Sequence, residues 1–333
     1  MQRGVPIRVN AAKALLWRPH THRPCRVGML FICGNPGLCE FYDAFLTHVH
    51  ERIGGQGAIL CTSALGHDTL DKGAPVPTGP AAYLAPPYYS LHDQIAAQAH
   101  AFDVLTSHVH ADTPCFVGGH SIGAYIALLL FSRDARIRGV QLLFPTLSYI
   151  ADTPKGRRTA PLVQPPRFWL VRFVIWCIAS LLPQFVCIAL ITACTGMSHA
   201  NAAVTQQLFH APQHAYNALC MGRDEMDAVR EIPAPVVDAV RTAPDRTVRT
   251  YWAAGDADHW APSWSRHHAE ATLGLTSVSA DAVAASMPSH TSTVCAHGAP
   301  HSFCLDFSQQ VAGVCAAWLA ADWGARGGAG LGA

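Results

Sequence analysis

Short runs dominated by apolar residues recur along the chain, each closed by a turn signal. They are Val27–Cys33, Ala58–Ser63, Cys115–Gly118, Val140–Phe144 and Val248–Ala253, with Ser292–Ala296 as a sixth candidate. Such runs predict strands buried on both faces. Helix-period stretches separate them, among them Leu91–Val104 and Ser121–Phe131. Strands alternating with helices predict a mostly parallel sheet covered by helices on both faces, an α/β architecture. The rhythm breaks between about Thr146 and Asp245, which reads as a helical cap inserted over the C-terminal edge of the sheet. The expected organisation is a core of 27–145 and 246–323, a cap of 146–245, an N-terminal extension of 1–26 and a disordered Gly/Ala-rich tail of 324–333. Ala271–Ser289 is Ala/Ser-rich and reads as a loop with a weak helix.

The cap carries the most apolar stretch of the chain, FWLVRFVIWCIASLLPQFVCIALITACT at 168–195. A bilayer-spanning helix needs about 20 apolar residues, so this stretch is long enough to span. Two features oppose a span. Val140–Phe144 and Val248–Ala253 must join one sheet, so the chain has to return to the side it left. Pro183, near the middle, breaks a continuous helix. Two half-length helices, forming an apolar hairpin or lying in the interface, satisfy both constraints. Lys155, Arg157, Arg158, Arg167 and Arg172 precede or enter the stretch and suit anionic headgroups. The plainer alternative is a buried pair of cap helices.

Composition sharpens this picture. Half of the 333 residues are hydrophobic and only 14% are charged. Mean hydropathy is +0.18, apolar for a freely soluble enzyme and consistent with lipid contact. A formal net charge of +1 gives no electrostatic reason to expect a nucleic-acid partner. Twelve scattered cysteines without a C-x-x-C pair read as buried, reduced thiols in a cytosol-facing protein. The first residues lack the apolar run of a signal peptide. Nineteen histidines are mostly isolated, and the pair His267 and His268 reads as solvated surface. No metal or organic cofactor is expected.

One motif carries chemistry. Gly119-His120-Ser121-Ile122-Gly123 matches G-x-S-x-G between a strand-like and a helical segment, the setting of a nucleophile elbow. Gly119 and Gly123 suit a turn that tolerates little bulk, and Ser121 stands at a helix N-terminus. An oxyanion hole needs two preorganised N–H donors. Ile122 supplies one as the residue after the nucleophile. Asn35, in Gly34-Asn35-Pro36-Gly37 after an early strand, is the candidate for the second. The acid comes next and the histidine last in chain order. Asp256 and Asp258 both follow the fifth strand, and spacing does not choose between them. His301 follows the last strand and precedes a helical run, and so is preferred as base over His297 and His290. His120 and His259 adjoin these positions and read as pocket lining.

Several segments resemble the lipid droplet-associated hydrolase family, in the expected order over about residues 27–320. They are GNPGLCEFYDAFL (34–46), YSLHDQI (89–95), GGHSIGAYIAL (118–128), LLFPTLSYIADTPKGR (142–157), DHWAP (258–262) and PHSFCLDFSQQVA (300–312). The resemblance implies an α/β-hydrolase at lipid droplets and endoplasmic reticulum, acting on neutral lipids, with sterol esters among the substrates proposed for the family. It implies Ser121 as nucleophile, His301 as base and, by the D-x-W-x-P segment, Asp258 rather than Asp256 as acid. The expected activity is thus hydrolysis of a neutral lipid ester, a sterol ester or acylglycerol, on a droplet monolayer or reticulum membrane. The alternatives are a droplet-binding structural factor with residual activity and a soluble small-ester or thioester hydrolase.

Overall fold

The computed structural model describes residues 2–68, 88–210, 212–279 and 287–327. The chain opens with an antiparallel hairpin of β1 (Val5–Val9) and β2 (Ala12–Trp17). There follow β3 (Val27–Ile32), β4 (Gly57–Thr62), β5 (Cys115–His120), β6 (Ile137–Leu143), β7 (Thr247–Trp252), β8 (Thr276–Val278) and β9 (His290–Val294). Among the described residues these make one sheet in the order β1-β2-β4-β3-β5-β6-β7-β9-β8. It is parallel from β4 to β8, and β2 joins antiparallel to β4. All six apolar runs are strands. Each differs by a residue or a few from the expected bounds, and the last begins at His290 rather than Ser292.

Every residue of β3, β4 and β5 is buried, because helices cover both faces. Alternate residues serve opposite cores, as the two-residue strand period requires. Leu30 and Ile32 pack with Phe102 of α2 (Leu91–Ser107) and Ile126 of α3 (Ile122–Arg133). Met29 and Phe31 pack with Phe45 of α1 (Asp43–Arg52) and Trp318 of α11 (Ser308–Gly327). Ser90 and Asp93 form a reciprocal capping box that starts α2 one residue before its first apolar position.

Two places depart from the sequence reading. Residues 5–17, assigned to an extension, form two strands of the sheet. Between Ala271 and Ser289 the chain ends α10 (Ser263–Leu273) and adds the edge strand β8; residues 280–286 lie outside the described set. For the tail, α11 continues to Gly327, and the expectation for 328–333 falls outside the described residues. All twelve cysteines are free, and eight are buried.

Between β6 and β7 the chain forms α4 (Pro154–Val163), α5 (Arg167–Leu181), α6 (Gln184–Thr195), α7 (His199–His210), α8 (Pro212–Ala228) and α9 (Ala234–Arg241). The apolar stretch divides at Pro183, as its ring requires. The expected hairpin pairs α5 with α6; instead α6 packs chiefly on α7, while α5 lies against α4, α7 and α8. The cause is local. Leu182 and Pro183 are both extended and carry the chain off the end of α5, whereas Gly196, at φ 72°, reverses it into α7. Among the described residues no single helix is long and apolar enough to cross a membrane. The pair Gln184–Thr195 and His199–Phe209 is apolar enough together but bends by 119°. Large apolar side chains of α5 and α6 remain bare, with Leu170 63%, Phe173 58%, Leu181 72% and Phe185 73% exposed. Phe168, Cys187 and Ile188 face inward and dock the two helices on the rest.

Candidate active site

The C-terminal ends of parallel strands form the usual binding edge of an open α/β sheet. Here they bring distant residues together. Ser121 follows β5, Gly34 and Asn35 follow β3, the Asp256–Asp258 loop follows β7, and His301 follows β9. Ser121 has φ 54° and ψ −123°, a strained conformation that a side chain rarely adopts. Its N–H donates to the Leu143 carbonyl at 3.1 Å and its carbonyl accepts from Ala124 at 3.0 Å, so the turn is held from both sides.

The flanking glycines are dictated by space. A Cβ on Gly119 would lie 2.2 Å from the Gly123 carbonyl oxygen, and one on Gly123 would lie 2.3 Å from that of Ile32. These neighbours are backbone and cannot swing away. Gly123→Ala is therefore expected to destabilise the fold by about 3 kcal/mol, as overpacking does, seen as a lowered melting temperature or lost soluble yield. Wild-type melting in that variant would show that the turn has slack.

Ser121 is half-buried, and its Oγ lies 3.0 Å from His301 Nε2. His301 Nδ1 lies 2.7 Å from Asp258 Oδ2. The other oxygen, Oδ1, accepts from the backbone N–H groups of Trp260 at 2.8 Å and Ala261 at 3.1 Å. Burial would raise the Asp258 carboxyl; the hydrogen bond and charge of His301, with those two N–H groups, outweigh it and hold the carboxyl below its ordinary value. Asp256 points elsewhere. It is exposed and accepts from the N–H and hydroxyl of Ser263 at the start of α10. Spacing does not separate these two carboxylates, and of the two only Asp258 is hydrogen-bonded to a histidine.

Of the other histidines, His297 is exposed and His290 begins β9, at the opposite end of the strand. His259, expected to line the pocket, is exposed, and its carbonyl accepts from the N–H of Lys155. His120 is buried beside His301, with ring centroids 4.9 Å apart. Ile122 opens α3, so its N–H has no carbonyl one turn earlier to bond. Asn35 is half-buried, and its side-chain amide donates to the Ala218 carbonyl of α8 at 3.0 Å, tying this loop to the cap.

Glu225 stands in no motif of the sequence. It lies on α8, buried beside the Asn35 amide and Asp224, and burial pushes its carboxyl from 4.5 up to about 8. Between these values the unfolded chain releases a proton that the folded chain keeps. Stability from this group is therefore full below 4.5 and falls as pH rises toward 8. Glu225→Gln should remove that slope: its melting temperature gains on the wild type as pH rises through the window. Parallel melting curves would contradict the burial argument.

The model of a protein family described as lipid-droplet associated hydrolase matches residues 25–304. A lipid droplet-associated hydrolase from Rattus norvegicus is 27% identical, covering 86% of this chain and 83% of the relative. One from Gallus gallus is 25% identical, covering 89% of this chain and 86% of the relative. Among solved structures, a haloalkane dehalogenase loop variant from Bradyrhizobium elkanii superposes with a TM-score of 0.61 at 12% identity, covering 98% of each chain. An epoxide hydrolase from Bacillus megaterium superposes with a TM-score of 0.57 at 12% identity, covering 95% of this chain and 99% of that one. At such identities these structures show the fold alone, and that fold is the α/β-hydrolase.

Proposed function

Because this chain belongs to the lipid-droplet associated hydrolase family, we propose that it is a serine ester hydrolase cleaving neutral lipid esters, such as sterol esters or acylglycerols, at the surface of lipid droplets and endoplasmic reticulum. The observation that carries this reading is the unbroken line from Ser121 Oγ through His301 to Asp258 at a nucleophile elbow. Ser121 Oγ attacks the ester carbonyl while His301 Nε2 takes its proton. Asp258 holds the Nδ1–H tautomer and stabilises the imidazolium. The N–H groups of Ile122 and Asn35 bind the oxyanion. Collapse of the intermediate expels the alcohol, which leaves with the proton from His301. Water then attacks the acyl-enzyme, again deprotonated by His301, and releases the acid. Each step uses groups of this chain.

The bare apolar residues of α5 and α6 support the surface location. Bare apolar side chains of this kind gain by leaving water for the acyl boundary of a lipid surface. Each inserted Phe contributes roughly 1.5–3 kcal/mol, so Phe173→Asp with Phe185→Asp should weaken droplet binding roughly 100-fold or more. Both side chains are more than half exposed, so the melting temperature should hold. Flotation with artificial droplets checks this. A collapsed melting temperature, with a wild type that does not float, would make the segment part of the fold and remove the anchor.

Product analysis with neutral esters presented on emulsions tests the activity. Release of acid and alcohol from sterol or glycerol esters supports the reading. Binding to droplets without release would leave a structural droplet factor, and release only from water-soluble esters would leave a small-ester hydrolase.

A further inference from the structure

Two buried polar side chains beside the Ser121–His301 pair have no part in the reaction as drawn, and the direction of every hydrogen bond they make follows by elimination. The backbone N–H of Gly34 lies 2.9 Å from Tyr42 Oη. Tyr42 Oη lies 2.7 Å from His120 Nδ1. His120 Nε2 lies 2.8 Å from the carbonyl oxygen of His301. A carbonyl can only accept, so His120 Nε2 carries a hydrogen. Burial, then the nearby His301, pushes His120 down to about 3, so its ring is neutral and Nδ1 has a lone pair. Tyr42 must then donate to Nδ1; burial raises its phenol well above the ordinary value and keeps that proton in place. The remaining lone pair on Tyr42 accepts from Gly34, whose N–H can only donate.

We propose that Tyr42 and His120 are positioning residues, forming a buried brace that ties the strand end bearing the oxyanion donor to the loop bearing the base. This rests on the catalytic reading above and deepens it. One end of the brace fixes the peptide just before Gly34, and the next peptide bears the Asn35 N–H. The other end fixes the backbone of His301 itself, whose ring must meet both Ser121 and Asp258. His120 immediately precedes Ser121, so the nucleophile, the base and the oxyanion loop share one hydrogen-bonded chain. Packing leaves it little slack. A Cβ on Gly34 would lie 2.9 Å from His120 Nδ1 and 3.1 Å from Ser121 Cβ. Phe303 meets the His120 ring edge-on at 5.2 Å and stacks on Phe144 at 5.3 Å. The sequence motif placed His120 beside the nucleophile; Tyr42, 78 residues earlier in the chain, carried no local signal.

The test uses the full chain and an emulsified ester that the wild type hydrolyses. Tyr42→Phe removes one oxygen and should lower kcat about 10- to 100-fold, the range found when the hydrogen-bond partner that orients a metal-bound histidine is removed, with KM unchanged. His120→Ala should do the same, and the double variant should be no slower than the slower single, because both break one chain. His120→Gln keeps a donor near the Nε2 position but no acceptor for Tyr42, so it should be about as fast as Tyr42→Phe, which leaves the same bond intact. His120→Asn, which reaches only the Nδ1 position and loses the bond to His301, should be as slow as His120→Ala. If His120→Ala does not fold, Tyr42→Phe and the Gln–Asn contrast still decide. Wild-type kcat in Tyr42→Phe, losses confined to KM, or losses that multiply in the double variant would overturn the brace while leaving the nucleophile assignment intact. A wild type whose Ser121 neither labels nor hydrolyses would overturn both, since the brace would then have no reaction to serve.

Discussion

Ser121→Ala is expected to lower ester hydrolysis by about 10⁴-fold or more, with little change in melting temperature. Knocking out a nucleophile of this kind removes the acyl-enzyme route and leaves only what oxyanion binding and substrate positioning supply. The structural cost should be small. The substitution deletes one half-buried oxygen whose bond is to His301, while the backbone of the turn keeps its contacts to Leu143 and Ala124. An alanine at φ 54° inherits the strain already present, so relief of strain is not a competing effect. Rates with an emulsified ester and a melting curve on the same preparation check both halves. Unimpaired turnover would remove Ser121 from the mechanism.

Asp258→Asn is expected to lower kcat by about 10⁴-fold, as when an amide holds the base in the wrong tautomer. Asp258 has no exposed side-chain surface, and its Oδ1 is already occupied by two backbone N–H groups. The amide nitrogen is therefore left facing His301 Nδ1. The ring must then turn its lone pair toward Asp258 and its N–H toward Ser121, which disables the base. Asp256→Asn should lower kcat less than about tenfold, because that carboxylate is exposed and bonds Ser263 rather than a histidine. Matched assays of the two variants separate the cases. A larger loss for Asp256→Asn would reverse the assignment.

The residues that carry most of the fold were legible because they are buried on both faces. Strands β3 to β7 and β9 lie between two helical layers, so each reads as an apolar run with a turn at its end. Of the strands not expected, β2 carries that signature, with five of its six residues buried, but lies in the leading segment read as an extension, and β1 and β8 lack it. Four of the five residues of β1 are not fully buried, so its sequence mixes polar and apolar positions, and β8 is only three residues long. The turn that bears the proposed nucleophile was legible because strand, turn and helix are contiguous in the chain. The place of His301, the proposed base, after the last apolar run was legible from its order relative to the strands. Asp258 was not separable from Asp256 by spacing, because the difference lies in which carboxylate turns inward, and that depends on Trp260, Ala261 and Ser263. The break at Pro183 was legible from ring chemistry, but the partner of α6 was not. That partner follows from Gly196 and from the extended pair at Leu182 and Pro183. The Tyr42 link is a long-range contact between two core positions, and no local pattern reports it.

The most direct test of the central claim is covalent labelling by a fluorophosphonate, read by peptide mapping on the purified full chain. An ordinary serine is a poor nucleophile, and only one activated by an adjacent base reacts at a useful rate. The account predicts one adduct, on the peptide containing Ser121, slowed when a neutral lipid ester competes and absent in His301→Ala as well as in Ser121→Ala. No adduct on the folded protein, or an adduct on another serine that survives Ser121→Ala, would contradict it.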